Sequence, residues 1–200
     1  MIKNIIFDVG MVLVHFNWQD TFRKLGFDGR VYEAVADATV RSDMWNEYDR
    51  SSLSDEEILA GLIANAPGYE KQIRLVWDHL GDMIQCYPYT KSWLKELKDK
   101  GYQRYILSNY PRRTFELTRK ELSFADDMDG GIFSYEVKLI KPEPEIFRAL
   151  MKKYRLDPAE CVFLDDNKAN IQAAEALGIK GIQFRTKDQA VAELQNIGVS

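Results

Sequence analysis

Residues 5–14 read IIFDVGMVLV, an apolar run that is interrupted by Asp8 and, two positions later, by Gly10. A carboxylate in a buried strand must be hydrogen-bonded, be neutralised by a cation, or lie where the strand ends and the backbone opens onto a cleft. An aspartate that ends a strand and caps the next turn is the common alternative, because Asp is favoured in turns and at N-caps. Taken alone, the run predicts a buried strand that ends at Asp8.

Four strand-like runs occur along the chain, and each is followed by polar or turn residues. They cover residues 3–7, 103–107, 161–164 and 181–184. All four look buried rather than alternating, which is typical of parallel strands that are covered on both faces. Helical patterns lie between them, over residues 89–100, 144–154 and 170–177. Strands that alternate with helices of this length predict a doubly wound α/β fold.

Residues 17–85 break this alternation, because they show helical patterning and no convincing strand. One of their helices is predicted to begin at Ser54, where the capping box Ser-x-x-Glu precedes apolar residues. We therefore predict a small helical cap domain over residues 17–85, inserted after the first strand. Residues 1–16 and 86–200 are predicted to form the core domain.

The composition excludes several classes of protein. The 200 residues are 46% hydrophobic, which is enough for a real core. A net charge of -4 gives no general basic field, so nucleic acid is not expected as a partner. The two cysteines, Cys86 and Cys161, form no zinc or disulfide pattern. Without a signal peptide or an 18-residue apolar run, we expect a cytoplasmic protein with no membrane partner; the oligomeric state is not indicated.

Polar residues with possible chemistry follow three of the predicted strands, and a lysine precedes a predicted helix. They are Asp8, Ser108-Asn109, Asp165-Asp166-Asn167 and Lys141. Each has an ordinary explanation as a cap, a turn former or a surface charge. However, ligands of open parallel sheets bind beyond the carboxyl ends of the strands, where these residues would converge. Three acids, a hydroxyl, an amide and an ammonium in one cleft suit a divalent cation and a phosphoryl group.

The residue types fit specific roles in such a site. Mg²⁺ prefers oxygen ligands and is typically bound by one or two carboxylates, which could be Asp8 and one of Asp165 and Asp166. A phosphoryl group in transfer needs positioned donors and cations, which Ser108, the Asn109 backbone N–H and Lys141 could supply. Asp8 could also be the nucleophile that forms an aspartyl-phosphate.

The order of these motifs resembles the haloacid dehalogenase (HAD) superfamily over essentially the whole chain. The first motif matches at Asp8, the second at Ser108, the third at Lys141, and the terminal acidic motif at Asp165 and Asp166. The resemblance implies a Rossmann-like core, and it implies that residues 17–85 are a C1 cap. Within the superfamily the chain is most similar to the bacterial glucose-1-phosphate phosphatase-like group, which shares the Asp-hydrophobic-Gly motif.

The resemblance implies a Mg²⁺-dependent phosphatase that hydrolyses a small phosphorylated metabolite, with a sugar phosphate as one candidate. Asp8 would be nucleophile and metal ligand, Lys141 would balance charge, and Ser108 and Asn109 would hold the phosphoryl group. Gly10, Asp165 and Asp166 would complete the metal site, with Gly10 contributing its backbone carbonyl. Alternatives are a phosphate- or partner-binding protein with little turnover, and a metal-free 2-haloacid dehalogenase, against which the paired acids count.

Gly10 departs from the pattern of most family phosphatases, in which a second aspartate at this position acts as general acid and base. Glycine carries no proton, and such assistance typically contributes about 10²–10⁴-fold, so we expect slow turnover of poor leaving groups. His15 is a conceivable replacement, although a histidine near a hinge is more often structural. Candidates for substrate selection are Arg41, Trp45, Glu47, Tyr48 and Arg50, and candidates for reaching a phosphate are Arg112 and Arg113.

Overall fold

A computed structural model describes residues 1–199. The strands are β1 (Asn4–Phe7), β2 (Val14–Phe16), β3 (Ile84–Cys86), β4 (Gln103–Ser108), β5 (Gly130–Phe133), β6 (Cys161–Asp165) and β7 (Lys180–Gln183). The α-helices are α1 (Trp18–Lys24), α2 (Gly29–Ala38), α3 (Asp43–Arg50), α4 (Asp55–Asn65), α5 (Glu70–Asp78), α6 (Thr90–Asp99), α7 (Arg112–Leu117), α8 (Ser134–Val137), α9 (Pro144–Tyr154), α10 (Lys168–Glu175) and α11 (Lys187–Asn196).

Five strands form one parallel sheet in the order β5-β4-β1-β6-β7. The predicted α/β fold with a parallel central sheet is therefore confirmed, and the four predicted strands are β1, β4, β6 and β7. The expectation of burial without alternation is wrong for residues 181–184 at the edge strand β7, where Ile182 and Phe184 are buried while Gly181 and Gln183 are only half-buried. The strand at the opposite edge, β5, was not expected from the sequence.

The central position of β1 explains why its sequence is apolar without alternation. Ile5 and Phe7 face one side of the sheet, where the ring of Phe7 meets Trp93 edge-on with ring centres 5.3 Å apart. Ile6 faces the other side and packs in a second core with Phe147 and Phe163. Both faces are covered, so every residue of β1 is buried.

The neighbours of β1 determine what surrounds Asp8. Phe7 is paired with Ile106 of β4 on one side and with Leu164 of β6 on the other. The backbone N–H of Asp8 donates to the carbonyl of Leu164 at 2.9 Å and extends this pairing by one residue. Three adjacent parallel strands thus end at the same edge of the sheet, where their polar residues meet.

Helices α1 to α5 lie between β2 and β3 in the sequence and share a separate apolar core. It includes Phe22, Val35, Tyr48, Ile58 and Trp77, all of them buried. The capping box at Ser54 is present at the start of α4.

The prediction that residues 17–85 contain no strand is wrong at the C-terminal end of this segment, because β3 begins at Ile84 and pairs antiparallel with β2. Three-residue strands are too short to show a periodic pattern. The division into core and cap domains stays a prediction.

Within residues 1–199, none of the helices combines the length and the apolar character that a membrane crossing requires.

Candidate functional site

A cavity of about 310 Å³ opens at the carboxyl ends of β1, β4 and β6. It is lined by Asp8, Gly10, Ser108, Asn109, Lys141 and Asp166 of the predicted site. The remaining predicted residue, Asp165, lies behind this surface and is fully buried. All predicted site residues are therefore brought together at one edge of the sheet.

Asp8 is held in place by its own strand end and by Lys141. Its Oδ1 accepts a hydrogen bond from the Val9 backbone N–H at 2.7 Å and lies 2.8 Å from Lys141 Nζ. Burial raises the pKa of Asp8 to about 7; the Lys141 ammonium opposes this, and the charges of Asp165 and Asp166 add to it. One oxygen of Asp8 is thus fixed in place, and a further cation would stabilise the ionised form of this buried carboxylate.

Lys141 is a buried cation between two carboxylates. Its Nζ lies 2.8 Å from Asp8 and 2.6 Å from Asp165. Burial works to lower its pKa, but the two carboxylates outweigh that effect and raise the pKa above its usual value. The Asn109 amide fixes the Lys141 backbone: its Oδ1 accepts from the Lys141 N–H at 2.7 Å, and its Nδ2 donates to the carbonyl at 3.0 Å. Lys141 therefore stays charged and rigidly placed.

The acidic cluster offers oxygen ligands at a separation that suits a cation. One oxygen from each of Asp8, Asp165 and Asp166 lies within 4.8 Å of the other two. Asp165 accepts from Lys141, from the Asn167 backbone N–H at 2.8 Å and from the Asn170 amide at 3.0 and 3.1 Å. Asp166 is exposed and lines the cavity.

Asn170 gives independent support for a ligand at this point, and sequence reasoning missed it. Its Oδ1 is buried without a hydrogen-bond partner in the described chain, although the same amide donates to Asp165 through Nδ2. A buried acceptor without a donor is costly unless water or a cation meets it. Hard oxygen donors of this kind fit a divalent ion such as Mg²⁺. Its position in the first turn of α10, shortly after the acidic end of β6, was the available signal.

Ser108 and Gly10 form the part of the cavity wall next to Asp8. Ser108 is buried at the end of β4. Gly10 has open space where a side chain would begin, since a Cβ there would meet no atom within 4 Å. Steric crowding therefore does not explain the glycine.

A further part of the cavity lining, called the apolar wall below, is made of apolar side chains. It consists of Met11, Phe16, Trp45, Leu80, Met83 and Ile84. Of the seven residues that the sequence suggested for substrate selection or for reaching a phosphate, Trp45 alone lines the cavity. The neighbouring helix residue Asp49, which the sequence did not single out, lines it as well.

The other suggested residues have structural partners. Arg41 pairs with Glu33 and Asp37, and Glu47 lies 3.6 Å from Arg50. The Tyr48 hydroxyl is 2.8 Å from Thr114 Oγ1, and Arg50 forms a two-pronged ion pair with Glu143.

Arg112, Arg113 and His15 also lie away from the cavity wall. The guanidinium of Arg113 stacks over the Trp77 ring at 5.0 Å, and that of Arg112 over Tyr135 at 5.5 Å. His15 stacks on Tyr87 with ring centres 5.8 Å apart. None of the three lines the cavity.

The chain has relatives among known proteins. Residues 2–178 match the family model of haloacid dehalogenase-like hydrolases. A sesquiterpene phosphatase of Aspergillus oryzae is 26% identical over 98% of this chain and 96% of that protein. A D-ribitol-5-phosphate phosphatase of Bacteroides thetaiotaomicron is 29% identical over 92% of each chain. A drimenol cyclase of Aspergillus calidoustus is 27% identical over 98% of this chain, which spans 37% of that protein's length.

A solved structure shares this architecture over nearly the full length. It is a HAD family enzyme of Bacteroides thetaiotaomicron in complex with magnesium and inorganic phosphate. The two chains are 26% identical with a TM-score of 0.71, and the match covers 94% of this chain and 96% of the other. The fold of the chain thus has a counterpart among solved structures of HAD family enzymes.

Proposed function

The chain belongs to the haloacid dehalogenase-like hydrolase family, and from that premise we propose that it is a Mg²⁺-dependent phosphatase of a small phosphorylated metabolite. One observation carries the proposal. The oxygens of Asp8, Asp165 and Asp166 lie within 4.8 Å of one another, beside the buried Lys141. Such a site can hold a divalent cation and a phosphoryl group together.

The proposed reaction uses Asp8 as the nucleophile. One of its carboxylate oxygens attacks the phosphorus atom, the bond to the leaving oxygen breaks, and the resulting aspartyl-phosphate is hydrolysed by water. The Ser108 hydroxyl, the Asn109 backbone N–H and the Lys141 ammonium hold the phosphoryl oxygens, because positioned donors stabilise the charge that these oxygens carry. Lys141 thus serves both in catalysis and in phosphate binding.

The metal site in this proposal consists of Asp8, the Gly10 backbone carbonyl, Asp165 and Asp166. Asp8 and Asp166 line the cavity, whereas Asp165 holds Lys141 and is itself held by Asn170. When bound, Mg²⁺ supplies positive charge that offsets the negative charge of the phosphoryl oxygens. The unpartnered Oδ1 of Asn170 and the raised pKa of Asp8 both support a cation at this position.

Helices α1 to α5 are proposed to act as the cap. Trp45, Asp49, Leu80, Met83 and Ile84 reach the cavity from residues 17–85 and would contact the part of the substrate beyond the phosphate. A lid of this kind excludes water from the reaction and limits the substrate to a small molecule.

Two substrate classes are candidates. A sugar phosphate agrees with the relative that acts on D-ribitol 5-phosphate. A phosphate ester of a hydrocarbon agrees with the sesquiterpene phosphatase, and the apolar wall of six side chains favours it. Burial of apolar groups of the substrate against this wall would contribute to binding, whereas the hydroxyls of a sugar would lose water there without compensation.

Removal of the metal tests the proposal. We expect EDTA to lower kcat/KM for p-nitrophenyl phosphate at least about 10²-fold, with full recovery on adding Mg²⁺ in excess, because a bound cation typically contributes several kcal/mol to transition-state stabilisation. The same assay over sugar 1-phosphates, acyl phosphates and isoprenoid monophosphates would identify the substrate class.

Three results would contradict the proposal. Equal rates with EDTA and with Mg²⁺ would refute the metal requirement. Release of chloride from 2-chloropropionate without metal would favour a dehalogenase. Tight binding of a phosphorylated compound in calorimetry, with no phosphate released over hours, would favour a binding protein.

A further inference from the structure

The proposed phosphatase has no proton carrier in its first motif, since Gly10 occupies the second position after the nucleophile. Residues 17–85 contribute five side chains to the cavity, and four of them are apolar or aromatic. The fifth, Asp49, is the only charged side chain among these five. A single carboxylate among the apolar side chains of this segment, in the same cavity as Asp8 and Lys141, needs an explanation.

Contacts at Asp49 and at both of its neighbours hold its backbone against residues that lie outside the segment 17–85. Its carbonyl accepts a hydrogen bond from Ser134 Oγ at 2.5 Å. The preceding residue, Tyr48, is bonded to Thr114 at 2.8 Å, and the following residue, Arg50, is paired with Glu143 at 2.6 and 3.0 Å. Three consecutive residues in the last turn of α3 are thus anchored, which fixes where the Asp49 side chain begins.

The Asp49 carboxylate itself is kept free. It is half-buried, and no group within residues 1–199 forms a hydrogen bond or an ion pair with it. Charged groups that share the cavity with it are Asp8, Lys141 and Asp166. Burial raises the pKa of Asp49 to about 7, with a further increase from Asp8 and an opposing effect from Lys141. A group of this pKa can both give and accept a proton near neutral pH.

We propose that Asp49 is the general acid and base of this phosphatase, in place of the aspartate that is absent at Gly10. This inference rests on the proposed phosphatase function. In the first step Asp8 attacks phosphorus, the bond from phosphorus to the leaving oxygen breaks, and Asp49 gives its proton to that oxygen. In the second step water attacks the phosphorus of the aspartyl-phosphate and passes a proton to Asp49. The bond to Asp8 then breaks, and phosphate leaves.

The substitution Asp49→Asn separates the two steps. With p-nitrophenyl phosphate, whose leaving group needs no proton, we expect a rapid burst of about one equivalent of p-nitrophenolate and then a slow steady state. With phenyl phosphate, whose leaving group is poor, the burst is lost and kcat falls about 10²–10⁴-fold, which is the usual contribution of a general acid. Asp43→Asn, on an exposed residue at the start of the same helix, is the matched control and keeps wild-type rates.

The pH dependence gives a second measurement. A general acid must be protonated, so kcat/KM of the wild type for phenyl phosphate falls as the pH rises through about 7. This falling limb is absent in Asp49→Asn. The nucleophile Asp8 must be deprotonated, so its ionisation makes kcat/KM rise with pH. It therefore cannot account for the falling limb.

A second substitution tests whether the proton carrier can be moved. Gly10 has open space at its Cβ position and its backbone is outside the left-handed region, so aspartate fits there. We expect Gly10→Asp, added to Asp49→Asn, to restore most of the steady-state rate with phenyl phosphate. If the double variant folds but is as slow as Asp49→Asn, this would contradict the proposal that Asp49 takes the place of an aspartate at position 10.

The outcomes distinguish this inference from the proposed function. A wild type that hydrolyses neither ester with Mg²⁺ refutes the phosphatase itself. An active wild type together with an unaffected Asp49→Asn refutes the role of Asp49 alone. A uniform rise in KM for both esters, with kcat and the pH profile unchanged, would also overturn it, because that result indicates a binding contact.

Discussion

Replacing Asp8 by asparagine is expected to abolish turnover of p-nitrophenyl phosphate, with a loss of about 10⁴-fold or more in kcat, as removal of a nucleophile commonly produces. Asparagine has nearly the same shape, and its amide oxygen can still accept the bond from the Val9 N–H. The loss would therefore come from the missing nucleophilic oxygen rather than from a changed fold. Single-turnover assays with Mg²⁺ measure it directly.

The same variant is expected to be at least as stable as the wild type in the absence of metal. The pKa of Asp8 in the folded chain, about 7, lies above its ordinary value of 3.8, mainly because of burial. Below pH 3.8 the carboxyl is protonated in both states, so the substitution matters least there. As the pH rises towards 7, the unfolded wild type releases this proton first, and the wild type loses stability relative to Asp8→Asn.

Urea unfolding at pH 4, 6 and 8 in EDTA would measure this trend. The free energy of unfolding of the variant minus that of the wild type should increase from pH 4 to pH 8. A large loss of stability at pH 8 would show that the Asp8–Lys141 pair is needed for folding, and the activity result would then no longer isolate the nucleophile.

The central strands were predictable because burial on both faces leaves a continuous apolar run, as in β1 and β6. The edge strand β5 was not, because it begins with Gly130-Gly131, which resembles a turn. The structure requires glycine at 131, where a Cβ would lie 2.7 Å from the Cβ of Ile106 in β4. Close packing between strands is a tertiary requirement, and a single sequence does not reveal it.

The residues of the candidate site were also only partly predictable from the sequence. Asp8, Ser108 and Asp165 were predictable because polar residues at the ends of adjacent parallel strands must meet. Asp49 was not, because in sequence it is one more acid on a polar helix, between Tyr48 and Arg50. Only the anchoring of that helix to Thr114, Ser134 and Glu143 turns its carboxylate towards a functional position. Asn170 lay within reach of sequence reasoning, because it stands at the start of a predicted helix shortly after Asp165 and Asp166.

Replacing Lys141 by methionine is expected to impair both stability and activity. The ammonium is buried between Asp8 and Asp165, at 2.8 and 2.6 Å, and lies 5.4 Å from the centre of the Phe163 ring. Methionine fills a similar volume but leaves two buried carboxylates without a cation. We expect a loss of about 3 kcal/mol in the free energy of unfolding at pH 8 without metal, as for other broken buried ion pairs.

The loss of stability should depend on pH in a defined direction. Without the ammonium, Asp8 and Asp165 repel one another, so one of them takes up a proton at a higher pH than usual. At pH 5.5 that protonation relieves the repulsion, and the deficit of Lys141→Met should be smaller than at pH 8. Activity should fall about 10²–10³-fold even in excess Mg²⁺, because a positioned donor to the phosphoryl oxygens is lost.

Lys152→Met is the matched control for this substitution. Lys152 is exposed in the last turn of α9, so its replacement should change the free energy of unfolding by less than about 0.5 kcal/mol and leave kcat unchanged. If Lys141→Met matched this control in both measurements, the buried ammonium would contribute neither to the charge balance nor to catalysis. If stability fell while kcat per folded molecule stayed at the wild-type value, Lys141 would be structural, and Ser108 and Asn109 would have to hold the phosphoryl group without it.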